Sequence, residues 1–177
     1  GSGPFHAGPS LHTANMSSSN VGNPSMSSIG GQFKQLIDAI ARGDAHSVLT
    51  ILSSTPNLAN MKDGHGRSAL YSACRMRMSN LSVVQHLIRY EANVNINGPC
   101  GSTPLHAVGA CYGEFGPGVE DELCAISEAL IAAGADASLK NDRGMTVISE
   151  HDDVRSGFPR SSRLLHIWGA AELPKAP

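Results

Sequence analysis

Apolar residues recur along the chain at intervals of three and four, the spacing of helices that bury one face. A first apolar set ends at Arg42-Gly43, where glycine favours a helix stop, and a second set begins a few residues later. The two sets consist of Phe33, Leu36, Ile37 and Ile40, then Val48, Leu49, Ile51 and Leu52. This pattern predicts a helix, a tight turn and a second helix.

The same layout occurs twice more along the chain. Residues 68–74 precede an apolar set at 83–89, and residues 103–108 precede another at 126–132. Gly or Asn residues typical of turns follow each pair. The chain is therefore predicted to be all-α, and its layout suggests internal repeats.

A register of glycines makes the repeats explicit. The six-residue segments 66–71, 101–106 and 144–149 align without gaps. Their first glycines stand at intervals of 35 and 43 residues. Some known helical repeat proteins have units of about 33 residues. Compared with that length, one interval here has about 2 extra residues and the next has about 10. We assign the smaller excess to residues 75–78 and the larger to an insertion at residues 110–123.

The composition changes at both ends of the chain. Residues 1–31 are rich in Gly, Ser, Pro, Asn and His and lack helical or strand periodicity, so we predict a disordered N-terminal segment. Its first two residues, Gly1-Ser2, resemble a cloning remnant. Residues 173–177 contain prolines that cannot continue a helix. The predicted domain covers residues 32–172 and is followed by a short tail.

Charge, hydropathy and cysteine spacing exclude several classes of function. A net charge of −2 gives no field that gathers nucleic acid, and no apolar run is long enough to span a bilayer. We therefore expect neither nucleic acid nor membrane as a partner. The four cysteines lack zinc-binding spacing, and reduced thiols predict an intracellular protein, cytoplasmic or nuclear. A Cys111–Cys124 disulfide is the alternative.

Motifs that support catalysis or cofactor binding are not evident. His151-Asp152-Asp153 has metal-binding residue types, but adjacent residues on a helix point in different directions. Residues 63–66 are glycine-rich without the lysine of a phosphate-binding loop. We expect no enzymatic activity, no metal and no cofactor.

Two segments carry a family resemblance. Residues 101–106 read Gly-Ser-Thr-Pro-Leu-His, and residues 130–136 read Leu-Ile-Ala-Ala-Gly-Ala-Asp. Both resemble the ankyrin repeat, and the third unit is the best match. The resemblance covers about 32–168 as four units, opening near Gln32, Asp63, Gly98 and Asn141. It implies a solenoid of helix-turn-helix units with hairpin loops.

The resemblance also implies structural roles for single residues. Thr103 and Pro104 would start the inner helix of the third unit, and His106 would link neighbouring units by hydrogen bonds. Gly134 would adopt the left-handed conformation that ends the outer helix. The second unit has Glu91 at that position, so we expect a different cap there.

The concave face of such a solenoid, formed by the hairpins and the inner helices, is the first candidate for partner binding. Its arginines could pair with acidic side chains of a partner, whereas the alternative is a solvated charged rim that contributes little energy. The candidate residues are His65, Arg67, Tyr71, Arg75, Met76, Arg77, Ser102, Arg143 and Met145.

The insertion at residues 110–123 is the second candidate. We predict a loop between the two helices of the third unit, with Tyr112 and Phe115 as exposed anchors for a partner. The alternative is that Phe115 folds back and covers the ends of the helices.

These expectations combine into one hypothesis. The chain is predicted to be a monomeric protein-protein interaction module, an adaptor or scaffold that binds a protein or peptide. The alternative is a regulatory or targeting domain of a larger enzyme. Asn95 is a candidate modification site, since Leu87, Val94 and Asn95 resemble the pattern that an asparaginyl hydroxylase recognises in ankyrin hairpins.

Overall fold

The computed structural model describes residues 26–76, 81–153 and 158–172. These residues form eight α-helices with short 3₁₀ turns, and an isolated β-bridge joins Lys62 and Ser68. The helices are α1 (Met26–Ala41), α2 (Ala45–Ser54), α3 (Ala69–Arg75), α4 (Leu81–Arg89), α5 (Pro104–Phe115), α6 (Glu120–Ala132), α7 (Val147–Asp153) and α8 (Ser162–Glu172).

The helices pack in two rows. Helices α1, α3, α5 and α7 contact one another in that order and form an inner row, while α2, α4, α6 and α8 form an outer row. Each inner helix also contacts the outer helix of its own unit. Packing between successive units is the architecture of a repeat solenoid, so the predicted all-α fold of four units is confirmed.

Hairpins connect the units, and the aligned glycines explain their shape. Gly66, Gly101 and Gly144 have φ angles of 77°, 69° and 74°, a left-handed conformation that disfavours other residues. In the first hairpin, Asp63 Oδ1 accepts hydrogen bonds from the N–H groups of His65 and Arg67 at 2.8 and 2.9 Å. The glycine register read from the sequence therefore marks the same turn in the second, third and fourth units.

The core lies between the two rows. Leucines from all four units are completely buried, among them Leu36, Leu70, Leu105 and Leu164. Burying each such side chain contributes about 1.5–3 kcal/mol relative to leaving it exposed. Trp168 closes the core at the last unit, where its Nε1–H donates to Ser127 Oγ at 3.2 Å.

The first helix begins before the predicted domain boundary. Helix α1 starts at Met26, whereas the sequence placed the start of the domain at Gln32 and predicted disorder up to residue 31. Ile29 lies one turn before Phe33 and packs, half-buried, against the core. This apolar contact extends the helix across Gly30 and Gly31. Residues 1–25 lie outside the described part of the chain.

The insertion at residues 110–123 is helical, so the predicted loop is wrong. Helix α5 continues to Phe115, a 3₁₀ turn covers Gly116–Val119, and α6 begins at Glu120. Tyr112 and Leu123, from the two helices, are both buried. The extra residues lengthen both helices because they carry apolar side chains that the core accepts.

The end of α4 also differs from the expectation. Glu91 has a φ of 58° and its N–H donates to the Ile88 carbonyl, while Gly134 has a φ of 95° and its N–H donates to the Ile131 carbonyl, each at 2.9 Å. The two ends therefore have the same left-handed cap, and the expected different cap at Glu91 is wrong.

Candidate functional site

Tyr71 lies on the inner row of helices, where the second unit meets the third. It is on α3, which begins after Ser68, whose side chain accepts a hydrogen bond from the Tyr71 N–H. The ring is half-buried against the next hairpin, since a Cβ added at Gly98 would lie 2.9 Å from Tyr71 Cδ2. Gly98 thus leaves room for the tyrosine ring to pack between two units.

Charged groups surround Tyr71. Burial raises the pKa of its hydroxyl, and the nearby arginines Arg75 and Arg67 act in the opposite direction. The carboxylate of Glu150, from the fourth unit, also raises this pKa. The second and fourth units therefore both contribute charge to the environment of Tyr71.

Three arginines of the concave face reach solvent, Arg67 and Arg143 exposed and Arg75 half-buried, and each pairs with a carboxylate of the chain. Arg75 Nη1 lies 2.6 Å from Glu114 Oε2, with 40% of the arginine side chain exposed. Arg67 Nε lies 2.8 Å from Asp63 Oδ2, and Arg143 Nη1 lies 3.8 Å from Glu150 Oε1. Exposed pairs of this kind contribute about 0–1 kcal/mol, so the arginines remain accessible to other carboxylates.

The other predicted concave residues are distributed around these pairs. His65 is exposed at the tip of the first hairpin, whereas Ser102 and Met145 are half-buried. Met76 is half-buried at the end of α3, and its carbonyl accepts from Cys111 Sγ at 3.6 Å. Arg77 lies outside the described residues. The structure thus places Arg67, Tyr71 and Arg75 together on one surface of the second unit.

The two predicted anchors of the insertion are not exposed. Tyr112 is only 2% exposed, and its hydroxyl donates to the Pro159 carbonyl at 3.0 Å. Phe115 is half-buried and packs against the core, as the alternative interpretation expected. Tyr112 as an anchor for a partner is therefore wrong, because the ring belongs to the contact between the third and fourth units.

His106 joins the third and fourth units. Its Nδ1 accepts from the Thr103 N–H at 3.2 Å, and its Nε2 lies 3.0 Å from the Met145 carbonyl oxygen. Thr103 is the N-cap of α5, with Pro104 at the first helical position. The predicted structural roles of these three residues are confirmed.

Asparagine side chains join the hairpins in the same way. Asn95 Nδ2 donates to the Gly134 carbonyl at 3.0 Å, and Asn95 Oδ1 accepts from the Asp136 N–H at 2.8 Å. One unit earlier, Asn60 donates to the Glu91 carbonyl at 2.9 Å and accepts from the Asn93 N–H at 2.7 Å. The sequence reasoning missed Asn60, although it stands 35 residues before Asn95, the interval of the glycine register.

The region of the predicted metal-like cluster is part of the core. His151 is buried between the rings of Tyr112 and Trp168, with both centroid distances 5.3 Å. The side chains of Asp152 and Asp153 lie outside the described part. Among the described residues, no group of three or more metal-binding side chains comes together.

The remaining sequence-based expectations concern membranes and cysteines. No helix within the described ranges is both long and apolar enough to cross a membrane. All four cysteines are free thiols; Cys100 is exposed, and Cys74, Cys111 and Cys124 are buried. The Cys111–Cys124 disulfide considered as an alternative is not formed.

Comparison with known proteins agrees with this architecture. The family model of the ankyrin repeat matches residues 65–98. These residues belong to the second unit, and the insertion interrupts the third, which the sequence had suggested as the best match. No curated protein matches the chain.

A solved structure provides the second comparison. The chain resembles the crystal structure of the ankyrin repeat domain of Bcl-3, described as a unique member of the IkappaB protein family. The TM-score is 0.57 at 28% sequence identity, over 75% of this chain and 49% of that chain. The chain thus spans about half of the length of that domain. The chain contains an ankyrin repeat and has the fold of an ankyrin-repeat domain, and ankyrin repeats are generally protein-protein interaction modules.

Proposed function

We propose that the chain is an adaptor or scaffold module that binds an acidic segment of a partner protein across its concave face. The observation that carries this proposal is that Tyr71 stands four residues after Arg67 and four before Arg75, at the spacing of one helix face, with both arginine side chains solvent-accessible. A half-buried aromatic ring between solvent-accessible arginines has the composition of an interface hot spot.

The ion pairs explain how such a segment would be accommodated. Asp63, Glu114 and Glu150 each neutralise one arginine of the free chain. A carboxylate of the partner would replace one of them at little cost, since an exposed pair contributes about 0–1 kcal/mol. Arginine favours this exchange because its guanidinium binds a carboxylate through two parallel hydrogen bonds. Of the residues in the insertion, Glu114 alone takes part in the proposed binding surface, as the ion-pair partner of Arg75.

We further propose that the module acts inside the cell as a monomer. Four free thiols suit a reducing compartment. The Asn95 modification stays a prediction; the Asn95 side chain is engaged in two hydrogen bonds, so an asparaginyl hydroxylase would have to open this hairpin first. Intact-mass measurement after incubation with such an enzyme would show whether one oxygen is added at Asn95.

The test is affinity capture from a native cell extract with three forms of the full chain, read by mass spectrometry. The concave variant is Arg67→Ala with Arg75→Ala, and the matched control is Arg42→Ala with Arg89→Ala, which removes two exposed arginines outside the concave face. We expect a protein that the unaltered chain and the control retain and the concave variant loses. Equal retention by all three forms would contradict the proposed site.

A further inference from the structure

A groove runs along the outer row between the C-terminal halves of α6 and α8. Its volume is about 640 Å³. Aliphatic and small side chains form its floor, namely Ile131, Ala132 and Ala135 on one side and Ile167, Ala170 and Ala171 on the other. The groove is separate from the concave face, which the inner row and the hairpins form.

The repeat alignment explains why this groove is open. The third unit has Ala132, Ala133 and Gly134 where the second unit has Arg89, Tyr90 and Glu91. Ala132 and Gly134 line the groove, whereas Ala133 does not. Small residues at these two positions, in place of Arg89 and Glu91, leave the apolar floor of the groove uncovered.

The charges around the groove are acidic. Glu128 and Asp136 line it and are exposed, and the described lining contains no lysine or arginine. Arg163 lies beyond the Glu128 end and pairs with Asp121. An apolar segment that carries a basic side chain is therefore the complement of this surface.

The walls of the groove favour a helical occupant. Most of the lining comes from the last turns of α6 and α8, whose backbone N–H groups are hydrogen-bonded within each helix, and the rest comes from residues 134–136. An extended segment would find few backbone N–H donors along this floor, whereas a helix satisfies most of its own backbone groups. The lining on α8 runs from His166 to Ala171, which is less than two helical turns and suits a short helix.

We propose that this outer groove binds a short amphipathic helix of a partner protein. Aliphatic side chains at helical spacing fill the floor between Ile131 and Ile167. A lysine or arginine beside them pairs with Glu128 or Asp136. The module would then hold two protein segments at once, one on each face.

The test is a titration of the ¹⁵N-labelled full chain, followed by NMR, with a synthetic helical peptide of about 14 residues that carries leucines on one face and flanking lysines. A second peptide has glutamate in place of each lysine. We expect the lysine peptide to shift the amide signals of residues 128–136 and 163–171, and the glutamate peptide to bind at least about tenfold more weakly.

Two matched variants locate the binding. Ala132→Arg introduces the residue that the second unit has at this position and fills the groove; Ala133→Arg makes the same change at the next residue, which is exposed and outside the lining. We expect Ala132→Arg to weaken the lysine peptide at least about tenfold and Ala133→Arg to change its affinity by less than about twofold. Circular dichroism checks that both variants fold.

Four results would overturn the proposal: no shift at residues 128–136 up to about 1 mM peptide, equal affinity for both peptides, no effect of Ala132→Arg, or self-association of the chain that Ala132→Arg abolishes. The last result would assign the groove to a second copy of the chain. The variant Arg67→Ala with Arg75→Ala should bind the lysine peptide unchanged, so failure of this proposal and failure of the concave site are distinguishable.

Discussion

Glu91 and Gly134 occupy equivalent positions at the ends of α4 and α6, and both have left-handed backbones, with φ angles of 58° and 95°. Left-handed geometry costs an L-residue about 1–2 kcal/mol, whereas glycine adopts it freely. The sequence suggested a different cap at Glu91 because a glutamate by itself disfavours the left-handed conformation. The turn is fixed instead by backbone hydrogen bonds and by Asn60, which donates to the Glu91 carbonyl.

The variant Glu91→Gly should therefore stabilise the protein. We expect an increase of roughly 0.5–1 kcal/mol in the free energy of unfolding, because relief of the left-handed strain exceeds the extra chain entropy of glycine. Urea denaturation followed by circular dichroism measures this change.

The control for Glu91 is Glu91→Ala, which removes the charged side chain and keeps the Cβ. We expect little gain from it. The mirror substitution Gly134→Ala should lower the free energy of unfolding by about 1 kcal/mol, since a Cβ there meets nothing within 4 Å and only the φ angle opposes it. Equal gains from Glu91→Gly and Glu91→Ala would contradict the strain argument.

At the scale of elements, the insertion of the third unit is paired with the segment that precedes α8. The Tyr112 hydroxyl donates to the Pro159 carbonyl at 3.0 Å, and Ser161 Oγ donates to Glu120 Oε1 at 2.5 Å. Gly116 lies so close to the Phe158 ring that a Cβ would approach to 2.6 Å. The sequence showed extra residues in the third unit but could not show that the next unit covers them, because that contact joins residues about 45 positions apart.

Gly116→Ala is predicted to weaken this contact. Gly116 is buried with a φ of 72°, so the added methyl group meets both backbone strain and the Phe158 ring. We expect a loss of about 1–2 kcal/mol in unfolding free energy, measured by thermal or urea denaturation.

Gly118→Ala is the matched control, since it lies in the same 3₁₀ turn, is exposed and leaves open space around an added Cβ. It should change the stability by less than about 0.5 kcal/mol. Adding Phe158→Ala to Gly116→Ala separates the clash from the strain, because only the clash is then relieved. If the two glycine variants were equally stable, the paired packing of the insertion would be wrong.

At the scale of the whole molecule, side chains of three residues join the units in series. Asn60 joins the turn after the first unit to the turn after the second, and Asn95 joins the turn after the second unit to the turn after the third. His106 connects the third unit to the fourth. In a solenoid each unit contacts only its neighbours, so such links couple the stability of the units.

Asn95→Ala should uncouple the last two units from the first two, because Asn95 joins the second unit to the third. It removes the hydrogen bonds to the Gly134 carbonyl and the Asp136 N–H, which together contribute about 1–2 kcal/mol. We expect faster amide hydrogen exchange in residues 134–146 than in the first two units, measured by mass spectrometry or NMR.

The control is Asn97→Ala, an exposed asparagine in the same hairpin, which should leave the exchange rates unchanged. An equal increase of exchange throughout the chain upon Asn95→Ala would mean that the four units unfold as one. The link would then be a general contribution to stability and not a local one.

The sequence by itself determined the repeat, its helical units and its special residues. The glycines at 66, 101 and 144 and the Thr103-Pro104 start could be read locally, because backbone conformation and capping depend on a few adjacent residues, whereas the link made by His106 was implied by the family resemblance. Only the tertiary structure decided the state of the insertion, the burial of Tyr112, the cap at Glu91 and the open groove between α6 and α8. Each of these depends on what the neighbouring unit fills or leaves empty, and the spacing of residues within one unit does not contain that information.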